Sequence, residues 1–427
     1  MLEPLRHRLH HRQRPQRYAH LALLTAHDRL SRTDALALQR SDLARIVAFA
    51  REHVPWYRGR FAAIDDFAAL PILTKADVTE HLDELLADNA DRRTAHIGHT
   101  GGSTGKPLAF WYDEAKHELM RAGMMRSYMG SGWRPGQKIL NFWGARQDTV
   151  AGGVFGATLG TTWSDFIAAE RTIPAHGYTE AQLRAWAHFI GRYRPTLLQG
   201  YASILAELAR RVIEERIAMP DSLIGVYSTA EVLTDEQREL MRRAFACPVF
   251  NQYGSREVPN IACECRHGNM HVFTDMVHLE STADERLLVT SLTNRLMPMI
   301  RYEIGDSGQL VDGDCDCGWP YPLMAMGMCR QNDLIRTPSG RTIHPSYFNG
   351  LLYGMTQIRQ YQWRQAAPDR MELSVVAEPV LTDESTHQLR TRIRAEVDAG
   401  LALDVRHVGE ISRTQSGKHR FVIGLPR

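Results

Sequence analysis

The sequence predicts an α/β fold, with a large N-terminal domain of several subdomains and a small α+β C-terminal domain. Segments with helical periodicity alternate with short apolar runs from about residue 113 to 254, which indicates parallel strands connected by helices. Consecutive strand patterns over 270–312 then indicate a β-rich subdomain. The patterns after residue 328 suffice for a second unit. We therefore predict domains at 1–328 and 329–427.

The individual elements follow from local patterns. Apolar side chains recur near every 3.6 residues over 20–54, which predicts a helical N-terminal extension over 1–50. Thr74, with Asp77 three residues later, predicts a helix N-cap. The remaining predicted helices lie at 113–130, 179–193, 202–218, 234–245 and 383–399, and the predicted strands at 137–144, 195–201, 222–231, 247–255 and 371–379.

The bulk composition is that of an ordinary globular protein of 427 residues, of which 44% are apolar and 23% charged. A formal net charge of +2 argues against a dedicated nucleic-acid surface. No apolar run reaches the roughly 18–20 residues that span a bilayer, and the basic N-terminus lacks a signal-peptide core. We expect a cytoplasmic protein with no membrane span, whose Arg- and His-rich terminus is solvated or frayed.

Residues 100–107, TGGSTGKP, form a run of glycines and hydroxyl residues that includes a lysine. The run fails the Walker A pattern, because Thr100 replaces the first glycine and Pro107 replaces the hydroxyl residue after the lysine. Its backbone N–H groups and the hydroxyls of Thr100, Ser103 and Thr104 still suit a phosphate. Taken alone, the run is equally well explained as a flexible surface turn.

Besides TGGSTGKP, five segments in a fixed order resemble motifs of the adenylate-forming enzymes, which include acyl-CoA synthetases, adenylation domains and luciferases. From about residue 50 to the end, the chain resembles the phenylacetate–CoA ligase-like branch, in its CapK-like subgroup. Each motif is weak alone, but their order over most of the chain is specific. The segments are VPWYRGRF…DDFAALPILTKADV, YGSRE at 253–257, NRLMPMIRYEIGD at 294–306, CRQNDLI at 329–335 and SRTQSGK at 412–418.

The resemblance implies that ATP activates a carboxylic acid to an acyl-adenylate, which is then transferred to a thiol. Lys418 would lie over the α-phosphate, Asp306 would accept from the ribose hydroxyls, and Glu257 would hold Mg²⁺, which prefers oxygen ligands. The other implied nucleotide contacts are Thr100, Ser103, Thr104 and Lys106 at the β- and γ-phosphates, Ser228, Thr229, Ala230, Glu231, Tyr253 and Gly254 around the adenine, and Arg330 at the ribose or phosphate.

Without the resemblance, these residues have ordinary explanations. Tyr253 would be a core aromatic after a strand, Asp306 part of a Gly-Asp turn, and Lys418 an exposed lysine. The retention of both Glu257 and Lys418 nevertheless argues for catalysis over simple nucleotide binding.

Two positions depart from the family pattern. Arg256 replaces the hydroxyl residue that usually precedes Glu257, and we include it among the candidate catalytic residues, because its guanidinium offers a bidentate phosphate contact or alters substrate choice. Asn332 replaces the hinge carboxylate and is followed by Asp333. The resemblance implies that the C-terminal domain is mobile and rotates between adenylation and thioester formation. An asparagine at the hinge does not forbid that rotation.

Clustered cysteines and histidines suggest a metal site. The six candidate ligands are Cys263, Cys265, His267, His271, Cys315 and Cys317, and their spacing allows a tetrahedral Cys₃His site. The resemblance implies a structural zinc in this branch, and we assign it to Cys265, His271, Cys315 and Cys317. Buried thiols that pack as small apolar groups are the alternative.

We therefore expect an AMP-forming ligase that acts on a small-molecule carboxylic acid and transfers the acyl group to CoA. One alternative passes the acyl group to the phosphopantetheine of a carrier protein or to an amine, which makes an amide. A second alternative is a non-catalytic nucleotide-binding member of the fold. The aromatic, glycine-rich segment 141–156 is predicted to border the acid pocket, which suits an aryl or other flat acid. A homodimer is expected by analogy with the branch.

Overall fold

A computed structural model describes most of the chain. The described residues are 2–62, 64–99, 108–143, 163–175, 180–330, 335–340, 342–343, 348, 351–352, 355, 357–411 and 421–425, with side chains excluded at 99, 328–330 and 342.

Three helices form the N-terminal extension: α1 (Leu2–Gln13), α2 (Pro15–His27) and α3 (Arg32–His53). The single helix expected over 20–54 is interrupted before α3, where the Ser31 side chain accepts a hydrogen bond from the Asp34 backbone and so starts a new helix. The N-terminus is not frayed, because residues 2–13 are helical, but most of their side chains are exposed, as expected of a solvated segment; Arg6 and Arg17 are buried.

The remaining helices agree with the alternating pattern of the sequence. The predicted N-cap at Thr74 is confirmed, and it forms a capping box: its hydroxyl accepts from the Asp77 backbone at 3.2 Å, and the Asp77 carboxylate accepts from the Thr74 backbone at 2.8 Å. The described helices are α4 (Pro55–Arg60), α5 (Lys75–Glu80), α6 (Glu114–Met129), α7 (Trp163–Ala168), α8 (Glu180–Tyr193), α9 (Ala202–Glu214), α10 (Asp235–Phe245) and α11 (Asp383–Arg392), with a 3₁₀ turn at Phe67–Ala69 and a π turn at Ile393–Val397.

One mixed sheet organises the described part of the large N-terminal region. Its strands in chain order are β3 (Ile139–Trp143), β4 (Glu170–Pro174), β5 (Leu197–Tyr201), β6 (Gly225–Thr229), β7 (Val249–Tyr253), β8 (Ala262–Glu264), β9 (Met270–Val272), β10 (Val277–Ser281), β11 (Arg286–Ser291), β12 (Tyr302–Val311) and β13 (Leu323–Arg330), and a separate hairpin precedes them as β1 (His96–His99) and β2 (Ala109–Tyr112).

The strand pairing in this sheet changes from parallel to antiparallel at β7. Strands β4, β3, β5, β6 and β7 are neighbours in that order and run parallel. From β7 onward the order is β8, β9, β13, β12, β11, β10, and every pairing is antiparallel. The β-rich segment expected from the sequence therefore continues the same sheet.

The C-terminal region forms its own apolar cluster, which includes Ile335, Trp363, Leu373 and Val422. Its described strands are β14 (Ile335–Arg336), β15 (Thr342–Ile343), β16 (Ile358–Ala367), β17 (Arg370–Ala377), β18 (Ala402–His407) and β19 (Val422–Ile423), of which the last four form a sheet in the order β18, β17, β16, β19. The domain boundary at 328/329 stays a prediction. Among the described helices, none is long and apolar enough to cross a membrane.

A buried ion pair joins α6 to the antiparallel half of the sheet. The Arg126 guanidinium donates to both carboxylate oxygens of Asp275, at 3.0 and 2.7 Å, and its side chain is 0% exposed. It also donates to the Tyr321 hydroxyl at 3.0 Å and lies 3.9 Å from the Phe273 ring centre. The Tyr321 hydroxyl in turn donates to Asp28, just beyond α2, at 2.9 Å.

This network predicts a large stability loss for Arg126→Met. The substitution leaves the Asp275 carboxylate buried without its cation, which costs about 3–5 kcal/mol. Urea unfolding measures the loss. Arg93→Met is the matched control, because Arg93 pairs with Asp91 at the exposed surface and should leave the midpoint nearly unchanged. Equal midpoints for the two variants would contradict the assigned role of the buried pair.

Candidate functional site

The turn after β6 lies at the carboxyl end of a parallel strand, where open α/β sheets bind ligands. Ser228 is fully buried, and its Oγ has no hydrogen-bond partner among the described residues. Ala230 has a left-handed backbone with φ of +66°, an uncommon conformation for a residue with a side chain. The Glu231 carboxylate accepts from the Ser203 backbone at 2.7 Å, which holds the turn against the start of α9.

A side chain at the end of β7 contacts β12, although three strands separate the two in the sheet order. The Tyr253 hydroxyl donates to the Asp306 carboxylate at 3.2 Å, so the two residues assigned to the adenine and the ribose lie next to each other. At Gly254 the backbone passes close to the backbone of Asn260. A Cβ on Gly254 would lie 2.8 Å from the Asn260 nitrogen. A larger residue would displace the loop that carries Arg256 and Glu257.

Glu257 is 4% exposed, and the two oxygens of its carboxylate have different environments. The Tyr302 hydroxyl donates to Oε1 at 3.2 Å, whereas the buried Oε2 has no hydrogen-bond partner among the described residues. A buried, unsatisfied carboxylate oxygen is costly unless a cation or a donor occupies it. Its chemistry therefore fits a hard cation such as Mg²⁺.

Lys116 was missed as a functional residue from the sequence, although it is one of only five lysines. Its Nζ is buried and donates to the Glu257 backbone carbonyl at 2.7 Å. Burial lowers the pKa of Lys116 to about 8, against the opposing charges of Glu257 and Asp113. Lys116 thus fixes the Glu257 backbone through its carbonyl and does not occupy the Glu257 carboxylate with this hydrogen bond.

Lys75 is a second residue that the sequence did not single out. A Cβ on Gly305, whose φ is +81°, would lie 2.9 Å from the Lys75 Nζ. The first turn of α5 therefore brings an ammonium group to the backbone immediately before Asp306. The rarity of lysine in this chain was the available signal for both residues.

Four of the six candidate metal ligands converge. The ligand atoms of Cys265, His271, Cys315 and Cys317 all lie within 4.8 Å of one another. The Cys265 and Cys315 sulfurs are 3.6 Å apart, and the Cys317 sulfur is 3.4 Å from His271 Nε2. Zn–S bonds near 2.3 Å in a tetrahedron would separate two sulfurs by about 3.8 Å, so this donor set fits zinc.

Neighbouring groups orient these ligands. His271 Nδ1 lies 3.0 Å from the Tyr321 carbonyl oxygen, which can only accept, so Nδ1 carries the proton and Nε2 presents its lone pair to the other three ligands. Burial also lowers the pKa of His271, which favours the neutral ligand form. The Asn269 amide donates to the Cys315 sulfur at 3.2 Å.

Several predicted site residues lie outside the described residues: Thr100, Ser103, Thr104, Lys106, Asn332, Asp333 and Lys418. Arg330 is described in its backbone alone, where it pairs with Asp306 across β12 and β13. Arg256 is half-buried next to Glu257. The described structure thus brings together the assigned adenine, ribose and magnesium residues, while the phosphate loop and the catalytic lysine stay predictions.

Comparisons with known proteins show which proteins the chain is similar to. The CapK C-terminal domain family model matches residues 335–424. A phenylacetate-coenzyme A ligase of Thermus thermophilus is 27% identical over 93% of this chain and 98% of its own length. Protein CapK of Staphylococcus aureus is 26% identical over 86% of this chain and 82% of its own length.

The fold also matches a solved structure. A 2-hydroxyisobutyryl-CoA ligase in its postadenylation state superposes with a TM-score of 0.72 at 18% identity, over 93% of this chain and 91% of that one. At such low identity the match shows a shared fold. Taken with the sequence relatives and the ordered motifs, it supports the predicted resemblance of the chain to the phenylacetate–CoA ligase-like, CapK-like branch of the adenylate-forming enzymes.

Proposed function

We propose that the protein activates a carboxylic acid with ATP, forms an acyl-adenylate and pyrophosphate, and transfers the acyl group to CoA. The observation that carries this proposal is the convergence at the ends of β6 and β7, where the Ser228 turn, the Tyr253–Asp306 pair and the Glu257 carboxylate meet. The names of the sequence relatives, phenylacetate-coenzyme A ligases, support the same reaction class.

The chemistry explains why these groups are needed. A carboxylate is a poor acyl donor until its oxygen attacks the α-phosphorus and AMP becomes the leaving group. Such phosphoryl chemistry depends on charge neutralisation and in-line positioning. Glu257 would hold Mg²⁺ against the phosphates, Asp306 would orient the ribose, and Tyr253 would lie against the adenine. Lys418, with Arg256 and Arg330, would neutralise the charge that develops during transfer.

The acceptor and the acid are the finer parts of the proposal. CoA is favoured by the relatives, and a carrier-protein phosphopantetheine or an amine is an alternative acceptor. An aryl acid is proposed because Trp143, at the end of β3, lies within the aromatic segment 141–156 assigned to the acid pocket. The cytoplasmic location and the homodimer expected from the sequence also stay predictions.

We also propose that Cys265, His271, Cys315 and Cys317 hold a structural zinc ion. The convergence of the four ligand atoms and the proton position on His271 support it. Zinc would supply no chemistry to the reaction; it would crosslink the β8–β9 turn to the segment before β13. That crosslink would lie close to the Arg126 network, since Tyr321 contacts both.

The reaction is tested by incubating the purified protein with ATP, Mg²⁺ and a panel of carboxylic acids. We expect AMP and pyrophosphate, a thioester when CoA is added, and a loss of at least about 100-fold in Lys418→Ala. His419→Ala serves as the neighbouring control. Release of ADP and orthophosphate, or undiminished turnover by Lys418→Ala, would contradict the proposal. If an amide formed in preference to a thioester, the acceptor would be an amine and not CoA.

Glu257→Gln should abolish most pyrophosphate exchange into ATP, because a neutral amide binds Mg²⁺ poorly. We expect a loss of about 100-fold or more in rate, with a thermal midpoint near that of the parent. Glu239→Gln, at an exposed position of α10, is the matched control. An unchanged Mg²⁺ dependence in Glu257→Gln would exclude the magnesium role.

The zinc site is tested by metal analysis of Cys317→Ser. We expect about one zinc ion per chain in the parent protein and none in the variant, together with a large fall in thermal midpoint, because structural zinc contributes directly to folding free energy. Cys247→Ser is the control, since Cys247 is buried outside the group. A metal-free parent protein, or zinc retained in Cys317→Ser, would argue against the site.

A further inference from the structure

A cavity of about 140 Å³ lies between the N-terminal helices, α6, α7 and one face of the parallel half of the sheet. Helices α1 and α2 contribute His10, Arg14 and Arg17, while α6 contributes His117 and Arg121. The opposite wall is formed by polar side chains of three adjacent strands, where an α/β core ordinarily carries apolar ones. These strand residues are Asn141, Glu170, Thr172 and Gln199.

The guanidinium groups on the wall are already paired. Arg17 donates through two nitrogens to the Glu118 carboxylate, at 2.9 and 2.7 Å. Arg14 contacts the same carboxylate at 3.4 Å. Arg121 donates to Glu170. These ion pairs satisfy the cations, so the cavity offers no uncompensated positive charge to a second carboxylate or a phosphate.

The other titratable groups around the cavity leave its net charge close to zero. Burial, together with Arg17 and Arg121, lowers the pKa of both His10 and His117 to about 4, so each is neutral at pH 7. The guanidinium groups of Arg14, Arg17 and Arg121 are thus matched in number by three carboxylates, those of Glu118, Glu170 and Asp165. The cavity is therefore polar, close to electrically neutral, and better suited to an uncharged hydrogen-bonding group than to an ion.

Two buried atoms in the cavity wall have no hydrogen-bond partner among the described residues, namely Asn141 Oδ1 and His117 Nε2. Asn141 is 5% exposed, and its amide nitrogen donates to the Glu170 carboxylate at 2.6 Å. Since a carboxylate can only accept, this contact fixes the amide orientation and leaves Oδ1 as the unsatisfied acceptor. A ligand that donates a hydrogen bond would satisfy it.

The cavity adjoins the nucleotide residues along the same sheet. Asn141 pairs in register with Gln199 on β5, and Gln199 donates to Gln252 on β7 at 3.1 Å. Gln252 immediately precedes Tyr253. Trp143, at the carboxyl end of β3, also lines the cavity. A row of polar side chains on neighbouring strands therefore connects the cavity wall to the end of β7, where the acid would react.

We propose that this cavity binds a hydroxyl group carried by the distal end of the substrate, so that the preferred acid is a hydroxylated aryl acid. The inference rests on the proposed function and specifies its substrate. A cavity of about 150 Å³ holds a benzene ring, so this cavity of about 140 Å³ suits the distal part of one ring and its hydroxyl group. The hydroxyl donates to Asn141 Oδ1 and contacts His117 Nε2, and an unsubstituted ring leaves both atoms unsatisfied.

The test compares matched acids with and without a ring hydroxyl, namely phenylacetate and benzoate against their 3- and 4-hydroxy derivatives. In pyrophosphate release, we expect kcat/KM for the best hydroxylated acid to exceed that of its parent by about 10- to 100-fold. Asn141→Leu should reduce that ratio towards unity, and His117→Phe serves as a second variant if the first does not fold. Gln388→Leu, on the exposed face of α11, should keep the parental ratio.

The outcomes separate this inference from the proposed function. If acids react but no hydroxylated acid is preferred, or the preference persists in both cavity variants, the cavity assignment is wrong while the ligase activity stands. If no acid releases pyrophosphate, the proposed function fails, and calorimetric binding of the same acids still tests the cavity. Weaker binding of the hydroxylated acids to Asn141→Leu than to the parent would support the cavity, whereas equal binding would overturn it.

Discussion

The buried ion pair between Arg126 and Asp275 is the interaction on which the relative placement of α6 and the antiparallel strands depends. A guanidinium that is 0% exposed is tolerated only while its partner carboxylate stays within hydrogen-bond distance. Burial raises the pKa of Asp275, but the Arg126 charge and the hydrogen bonds from His27 and Arg126 together outweigh it and hold the pKa below its usual value. The pair therefore penalises any separation of α6 from the segment between β9 and β10.

Tyr321 extends this constraint in two directions. Its hydroxyl lies between Arg126 and Asp28, which connects the end of α2 to the core. Its backbone carbonyl contacts His271 Nδ1 and so directs the opposite ring nitrogen towards the three cysteine sulfurs. The geometry of the candidate metal site and the position of the N-terminal helices thus depend on one residue at the centre of the network.

Helix α6 connects the Arg126 network to the candidate active site. Lys116, near its start, binds the Glu257 carbonyl, and the Met120 carbonyl accepts from the Asn260 side chain at 2.9 Å. Two points of the loop that carries Glu257, at Glu257 itself and at Asn260, are therefore attached to the same helix. His117 and Arg121 project from an adjacent face of that helix towards the cavity. Residues with different roles thus share one rigid element, which suits a site that must position several groups together.

Local patterns in the sequence were sufficient for the alternation of helices and strands, for the N-cap at Thr74 and for the consecutive strands after residue 270, because periodicity and capping act over a few residues. They did not predict how the N-terminal helices pack, although most side chains of residues 2–13 are exposed, as the Arg- and His-rich composition indicated. The carboxylate that buries Arg17 is Glu118, 101 positions away, and no local pattern carries that pairing. The continuation of β8 to β13 into the same sheet as β3 to β7 was missed for the same reason.

By itself, the sequence determined the ordered motifs, the residue types available for nucleotide and metal binding, and the class of enzyme that those motifs resemble. Tertiary structure decided which four of six candidate ligands converge, which oxygen of Glu257 stays unsatisfied, and that Lys116 and a polar cavity accompany the site. The physical reason is that burial and hydrogen-bond pairing between distant segments select among chemically equivalent side chains, whereas local sequence specifies only which side chains are present.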